Sequence, residues 1–254
     1  MPKLTRIHRH IFNQTQHNLK MAISSNTLFH FFKEYKYLKQ TIDEGIWARY
    51  FIEKKWNKRD LAIPMFCFCD IPLSQIKEHL SGYGNYGIGV TKQFAKNNFI
   101  TPVAYISQES HLMNKLSYFL SSFEKPKTNH KDMEFEELML YYAKKVSGYN
   151  SEDEVQYKFY NEREWRYIPK LSQDVHLEIL LGEYDEKKTI TEFSRRTESS
   201  KLELKPKDIA YIIVERECEV KEIAHTLQTR YRNYQQLEQL FSRIITVKQI
   251  KEDF

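Results

Sequence analysis

Two short runs constrain this chain most. LFHFF at 28–32 and MFCFC at 65–69 place bulky aromatics on alternate positions, and a side-chain period of two belongs to a strand. Both runs are apolar on successive residues as well, so each strand must be buried on both faces and needs packing partners above and below. Aromatic residues make up 14% of the sequence, with 17 Tyr and 16 Phe. At that density they bury enough area to exclude a disordered chain. Seven Gly and seven Pro exclude collagen-like and linker-rich architectures.

The remaining elements alternate around these two strands. Thr27–Phe32 reads as a strand and Tyr35–Glu44 as a helix stopped by Gly45. Trp47–Ile52 and Leu61–Phe68 read as strands. A turn at Asp70–Pro72 leads into a helix running to Leu80. Ile88–Thr91 reads as a strand, Gln93–Asn98 as a short helix and Pro102–Ile106 as a strand. Residues 107–158 carry apolar positions at helical spacing, for example Leu112, Leu116, Phe119 and Leu120, around a polar loop at 124–132. Strands return at Arg163–Ile168, His176–Leu181 and Ile209–Val214. Helices follow at Glu219–Arg230 and Tyr234–Phe241, with a last strand at Ile244–Ile250. The expected fold is mixed α+β: a strongly twisted sheet core with helices inserted between sheet halves. The expected organisation is an N-terminal arm at 1–25 and one domain at 26–254, with a helical insertion at about 107–158.

The chain of 254 residues has a net charge of +5. Both signs are interspersed, so the charge permits nucleic-acid contact without requiring it. Three Cys give no disulfide framework and point to a reducing compartment. The longest apolar stretches fall far short of a membrane span. The expectation is a cytoplasmic protein with no membrane segment.

Four constellations carry candidate chemistry. His30 stands among aromatics on one strand face with Leu28 and Phe32. On the residues alone, a core imidazole bonded to a backbone carbonyl is the favoured reading. Cys67 and Cys69 share a strand face, but no matching Cys/His pair follows, so buried thiols are expected and no metal. The glycine-rich YGNYGIGV at 83–90 lacks the spacing of a phosphate or dinucleotide loop. It reads either as a turn entering a strand or as a ligand loop flanked by Tyr83 and Tyr86. In FYNEREWRYIP (159–169), alternation puts Glu162, Glu164 and Arg166 on one face and Arg163, Trp165 and Tyr167 on the other. That polar face is either solvated or a carboxylate device for stabilising developing positive charge on a sugar.

SNTLFHFF (25–32), IPMFCFCDIPLS (63–74), HLSGYGNYGIGVTK (79–92), PVAYI (102–106), FYNEREWRYIP and DIAYIIV (208–214), in this order, resemble the AbiGi family of bacterial abortive-infection, phage-resistance proteins. The resemblance runs from about residue 21 onward. It implies an antitoxin paired with a nucleotidyltransferase-like toxin in a bicistronic system. A looser resemblance runs to ADP-ribosyltransferases, whose fold carries a His on the first strand, an aromatic in the middle and a Glu-x-Glu near a late strand. That likeness implies NAD as substrate or ligand. Glu164 would then be catalytic and Glu162 would orient the acceptor, with His30, Tyr83 or Tyr86, and Arg166 binding the ligand. Two expectations stand side by side: a defence protein with an NAD-binding, ADP-ribosyltransferase-like pocket, and a non-catalytic antitoxin that binds its toxin or another defence-complex protein. A second copy of the chain is a further candidate partner. The stretch TRYRNY (229–234) with Arg195 and Arg196 gives only a weak case for nucleic acid.

Overall fold

The computed structural model describes residues 25–54, 60–122, 139, 141–150, 155–169, 178–180, 194–195 and 197–253. Residues 1–24 of the expected arm at 1–25, the loop at 124–132 and Arg196 lie outside the described residues.

Thirteen strands and seven α-helices are described. The strands are β1 (Thr27–Phe32), β2 (Arg49–Lys54), β3 (Asp60–Cys69), β4 (Tyr86–Thr91), β5 (Thr101–Pro102), β6 (Ala104–Ile106), β7 (Ala143–Lys145), β8 (Gly148–Asn150), β9 (Val155–Tyr157), β10 (Glu164–Tyr167), β11 (Glu178–Leu180), β12 (Ile209–Val214) and β13 (Ile244–Thr246). The helices are α1 (Tyr35–Glu44), α2 (Lys77–Tyr83), α3 (Lys92–Asn97), α4 (His111–Ser122), α5 (Glu217–Tyr231), α6 (Leu237–Phe241) and α7 (Val247–Asp253). Nine of the strands form one sheet, in the order β13-β12-β4-β1-β3-β10-β5, with β2 and β11 also paired to β3. All pairings in this sheet are antiparallel except β12 with β13. The fold is therefore mixed α and β around a mostly antiparallel sheet.

Register decides which side chains can meet. Directly paired residues share a face. Phe32 pairs with Tyr86 and His30 with Ile88, and Trp165 pairs with Phe68. Leu28, Phe32, Phe66, Phe68, Tyr86 and Tyr167 belong to the large core cluster on this face, which includes residues of α1, α3 and α5. Phe29 pairs with Cys69, Glu164 with Cys69 and Arg166 with Cys67. These five residues lie on the opposite face. There Phe29 and Cys69 pack with Ile76, Leu80 of α2 and Ile250 of α7. Ile63 and Met65 pack with Ile106, Met113 and Leu116 of α4, and Tyr141.

Three expectations change. The 107–158 segment is helical over His111–Ser122 and again at the described residues Met139, Tyr141 and Tyr142, with Met113 and Leu116 buried and Leu112 half exposed, but it also carries three short strands, β7 to β9. β7 pairs with β6 and β8 with β9, each pair a two-stranded sheet apart from the nine-stranded one. The final strand is only Ile244–Thr246. The chain turns there into α7, with Gln249 Oε1 accepting from Thr246 N (2.9 Å). The strand expected at 163–168 starts one residue later, because Phe159–Glu162 is a 3-10 turn and Arg163 is left-handed at φ 45°.

The glycine-rich segment is a structural turn into β4. Gly84 ends α2 at φ 120°, and a Cβ there would lie 2.1 Å from the Phe32 carbonyl oxygen. Backbone cannot yield cheaply at that distance, and the dihedral already disfavours an L side chain. Gly84→Ala is expected to destabilise the fold by more than about 2 kcal/mol, measured by urea unfolding. Gly82 has open space around its Cβ position, so Gly82→Ala should change stability little.

Candidate functional site

Arg166 is the largest fully buried side chain among the described residues, with 0% exposure. A buried guanidinium must have its charge compensated and its donors accepted. Its Nε donates to Glu164 Oε1 (2.5 Å), its Nη1 to the Tyr141 carbonyl (2.6 Å) and its Nη2 to Glu53. Lys144 Nζ on β7 completes the cluster by donating to Glu164 Oε2 (2.5 Å) and Glu162 Oε2 (2.5 Å). Tyr83 at the end of α2 donates its hydroxyl to Glu162 Oε1 (2.5 Å). The Tyr105 hydroxyl accepts from the Glu164 backbone N–H (2.8 Å). Five charged side chains, Glu53 of β2, Lys144 of β7, Glu164 and Arg166 of β10 and Glu162 of the turn before β10, thus form one network.

The charges set each other. Burial opposes ionisation of Glu164, but Arg166 and Lys144 outweigh it and hold its carboxyl down at about 2. Burial likewise opposes the charge on Lys144 and on Arg166, and the neighbouring carboxylates raise both. The Cys67 thiol is pushed well up by burial, with the Glu164 charge adding to the effect. A carboxylate held this low is a poor proton donor near neutrality, and its two oxygens are already occupied.

Glu162, Glu164 and Arg166 therefore do come together, although Glu162 reaches the cluster from a 3-10 turn rather than from the strand. Tyr83 joins them. His30 and Tyr86 do not, because register puts them on the other face of the sheet. The His30 ring lies 3.9 Å from the Phe66 ring, centroid to centroid. Its Nδ1 donates to the Cys67 carbonyl (2.5 Å), just beyond the one residue pair that joins β1 to β3. The imidazole supplies a bond where the ladder has parted. Burial lowers its pKa to about 4, so it is neutral at physiological pH. This is the core-histidine reading of the sequence. Tyr86 hydrogen-bonds through its hydroxyl with Glu219 (2.9 Å) and Glu215 (3.1 Å). It ties β4 to the start of α5, where Glu219 also caps Arg216 N (2.9 Å).

The residues the transferase resemblance brought forward thus do not line one cleft: His30 and Tyr86 lie on one face of the sheet, and Tyr83, Glu162, Glu164 and Arg166 cluster on the other. Two surface grooves occur elsewhere. Trp165 with Lys92 and Lys96 lines one; Lys33, Lys77 and Lys251 line the other. Among the described residues no group of three or more His, Cys, Asp or Glu is placed to hold a metal, and no helix is long and apolar enough to cross a membrane. Sequence reasoning missed Lys144, Glu53, Tyr105 and the Tyr141 carbonyl. Lys144 sits in a polar segment read as helical, so nothing in its local pattern pointed to a buried cation.

Comparison with known proteins adds two matches. A family model described as "Putative abortive phage resistance protein AbiGi, antitoxin" matches residues 36–215. A protein of Lactococcus lactis subsp. cremoris named "Abortive phage resistance protein AbiGi" is 28% identical over 226 residues, covering 76% of this chain and 89% of that protein. No solved structure matches.

The network predicts an acid-sensitive fold. A carboxyl whose pKa is depressed on folding contributes stability that is complete above its ordinary value of 4.5 and is lost as pH falls toward 2. Glu164→Gln should cost about 3–5 kcal/mol at pH 7, because it leaves Arg166 and Lys144 short of their counter-charge. The gap to wild type should narrow as the pH is lowered below 4.5. Urea unfolding of both proteins between pH 7 and 3 checks this.

Proposed function

Because the chain belongs to the AbiGi family of abortive phage resistance proteins, we propose that it is a non-catalytic antitoxin that restrains a toxin by binding it. The observation that carries this reading is the saturation of Glu162 and Glu164 by Lys144, Arg166 and Tyr83. The two carboxylates best suited to transfer chemistry are committed to holding the sheet, and His30 is committed to a backbone carbonyl on its far side. With its candidate carboxylates committed in this way, the chain would act through its surface. The family description, antitoxin, supplies the kind of partner.

Growth arrest by a cognate toxin should be relieved by co-expression of the wild-type protein, and the two purified proteins should elute together. Calorimetric titration with millimolar NAD should give no saturable heat. Absence of any complex with the toxin would sink the binding mechanism. NAD binding that His30→Ala removes would restore the transferase-like reading instead.

A further inference from the structure

The chain between β5 and β10 meets the nine-stranded sheet without strand pairing. It enters at Val103, whose N–H donates to the Glu164 carbonyl (3.0 Å), and it returns through the turn Phe159–Glu162 into β10. Entry and exit therefore both lie against β10, as they do where a segment is inserted into a fold. The strands described in it pair only with one another, β6 with β7 and β8 with β9. Among the described residues no ladder joins them to the large sheet.

Side chains and single bonds hold this unit down instead. Ile106 of β6, Met113 and Leu116 of α4, Tyr141 and Ala143 pack on Ile63 and Met65 of β3, in a cluster far smaller than the main core. Beside it lies the charge network. Four of its charged side chains, Glu53, Glu162, Glu164 and Arg166, belong to the sheet or to the turn. Lys144 belongs to the unit, and it reaches Glu162 and Glu164 (2.5 Å each). The two kinds of contact differ in what opening costs. Apolar surface is lost to water. Charges are rehydrated, which offsets most of the attraction given up, so a polar seam parts more easily than an apolar one of its size. Arg166 moreover keeps Glu164 and Glu53 when the unit leaves.

We propose that β6, α4, β7, β8 and β9 form a separately opening unit, latched to the sheet by Lys144, which comes away while the nine-stranded sheet stays folded. Lys144 is the latch because it neutralises two carboxylates only while the unit is closed. On opening, Glu53, Glu162 and Glu164 face solvent with Arg166 as the cation left in the network, so a neutralised interior becomes an acidic surface. The proposal goes beyond the antitoxin reading and does not rest on it.

Hydrogen–deuterium exchange of the full chain in rising sub-denaturing urea, read by mass spectrometry, tests this. In wild type, peptides from α4, β6 and β7 should exchange at least about tenfold faster than those from β1, β4 and β12. Their urea dependence should be weaker, because less surface is exposed. Ile223→Val thins the core under α5, on the opposite face of the sheet, and weakens the open and closed states alike. It should speed exchange of β1, β4 and β12 about three- to tenfold and leave the unit unchanged. Lys144→Met strands two carboxylates in the closed state and should speed exchange of the unit about a hundredfold or more. One common rate for unit and sheet in wild type would overturn the proposal. So would equal acceleration of both by Ile223→Val, the mark of a single cooperative fold. Unchanged exchange of the unit in Lys144→Met would contradict the latch. Where Lys144→Met does not fold, wild type and Ile223→Val decide.

Discussion

The structure depends on how one buried guanidinium is accommodated. Arg166 has no exposed surface, and an uncompensated charge there would cost more than the fold can supply. Its three donor nitrogens reach β10, β2 and the Tyr141 carbonyl just before β7. The need to satisfy it pins those segments together. Lys144 extends the arrangement to Glu162, and Tyr83 extends it to α2. A network of this kind gives little net stability compared with an apolar core, but removing one member leaves its partners buried and uncompensated. Its effect is to fix where short strands with few neighbours must lie.

The same satisfaction limits what the cluster can do. A reaction centre keeps a group available for substrate, with a pKa set near its working range. Here every carboxylate oxygen of Glu162 and Glu164 already accepts a bond. The sheet divides the remaining polar candidates, with His30 and Tyr86 on the face that packs against α1 and α5. The chain belongs to an abortive phage resistance family, and the cluster's place in that protein is at the heart of its sheet.

Much of the sheet was legible because its strands carry local signals. Alternation in LFHFF and MFCFC located β1 and β3, and the Ile209–Val214 run located β12. The Glu162, Glu164 and Arg166 cluster was legible too, because two carboxylates and an arginine at alternate spacing imply a shared face even when the first residue leaves the strand. What could not be read was pairing. Whether His30 meets Glu164 depends on register across β1, β3 and β10, and no residue reports that locally. Lys144 was hidden for the same reason. Its partners are 18 and 20 residues away, and its own segment is polar.

Glu164, between Arg166 and Lys144, is a clamp charged at neutral pH rather than a group poised to transfer protons. Carbon-13 NMR of its side-chain carboxyl, followed through an acid titration of the folded protein, tests that claim most directly. The carboxyl should stay ionised through the neutral and mildly acidic range, with its midpoint far below the ordinary 4.5 and near 2. A midpoint at or above 4.5 would mean that Arg166 and Lys144 do not hold the charge, and it would return Glu164 to the candidates for catalysis.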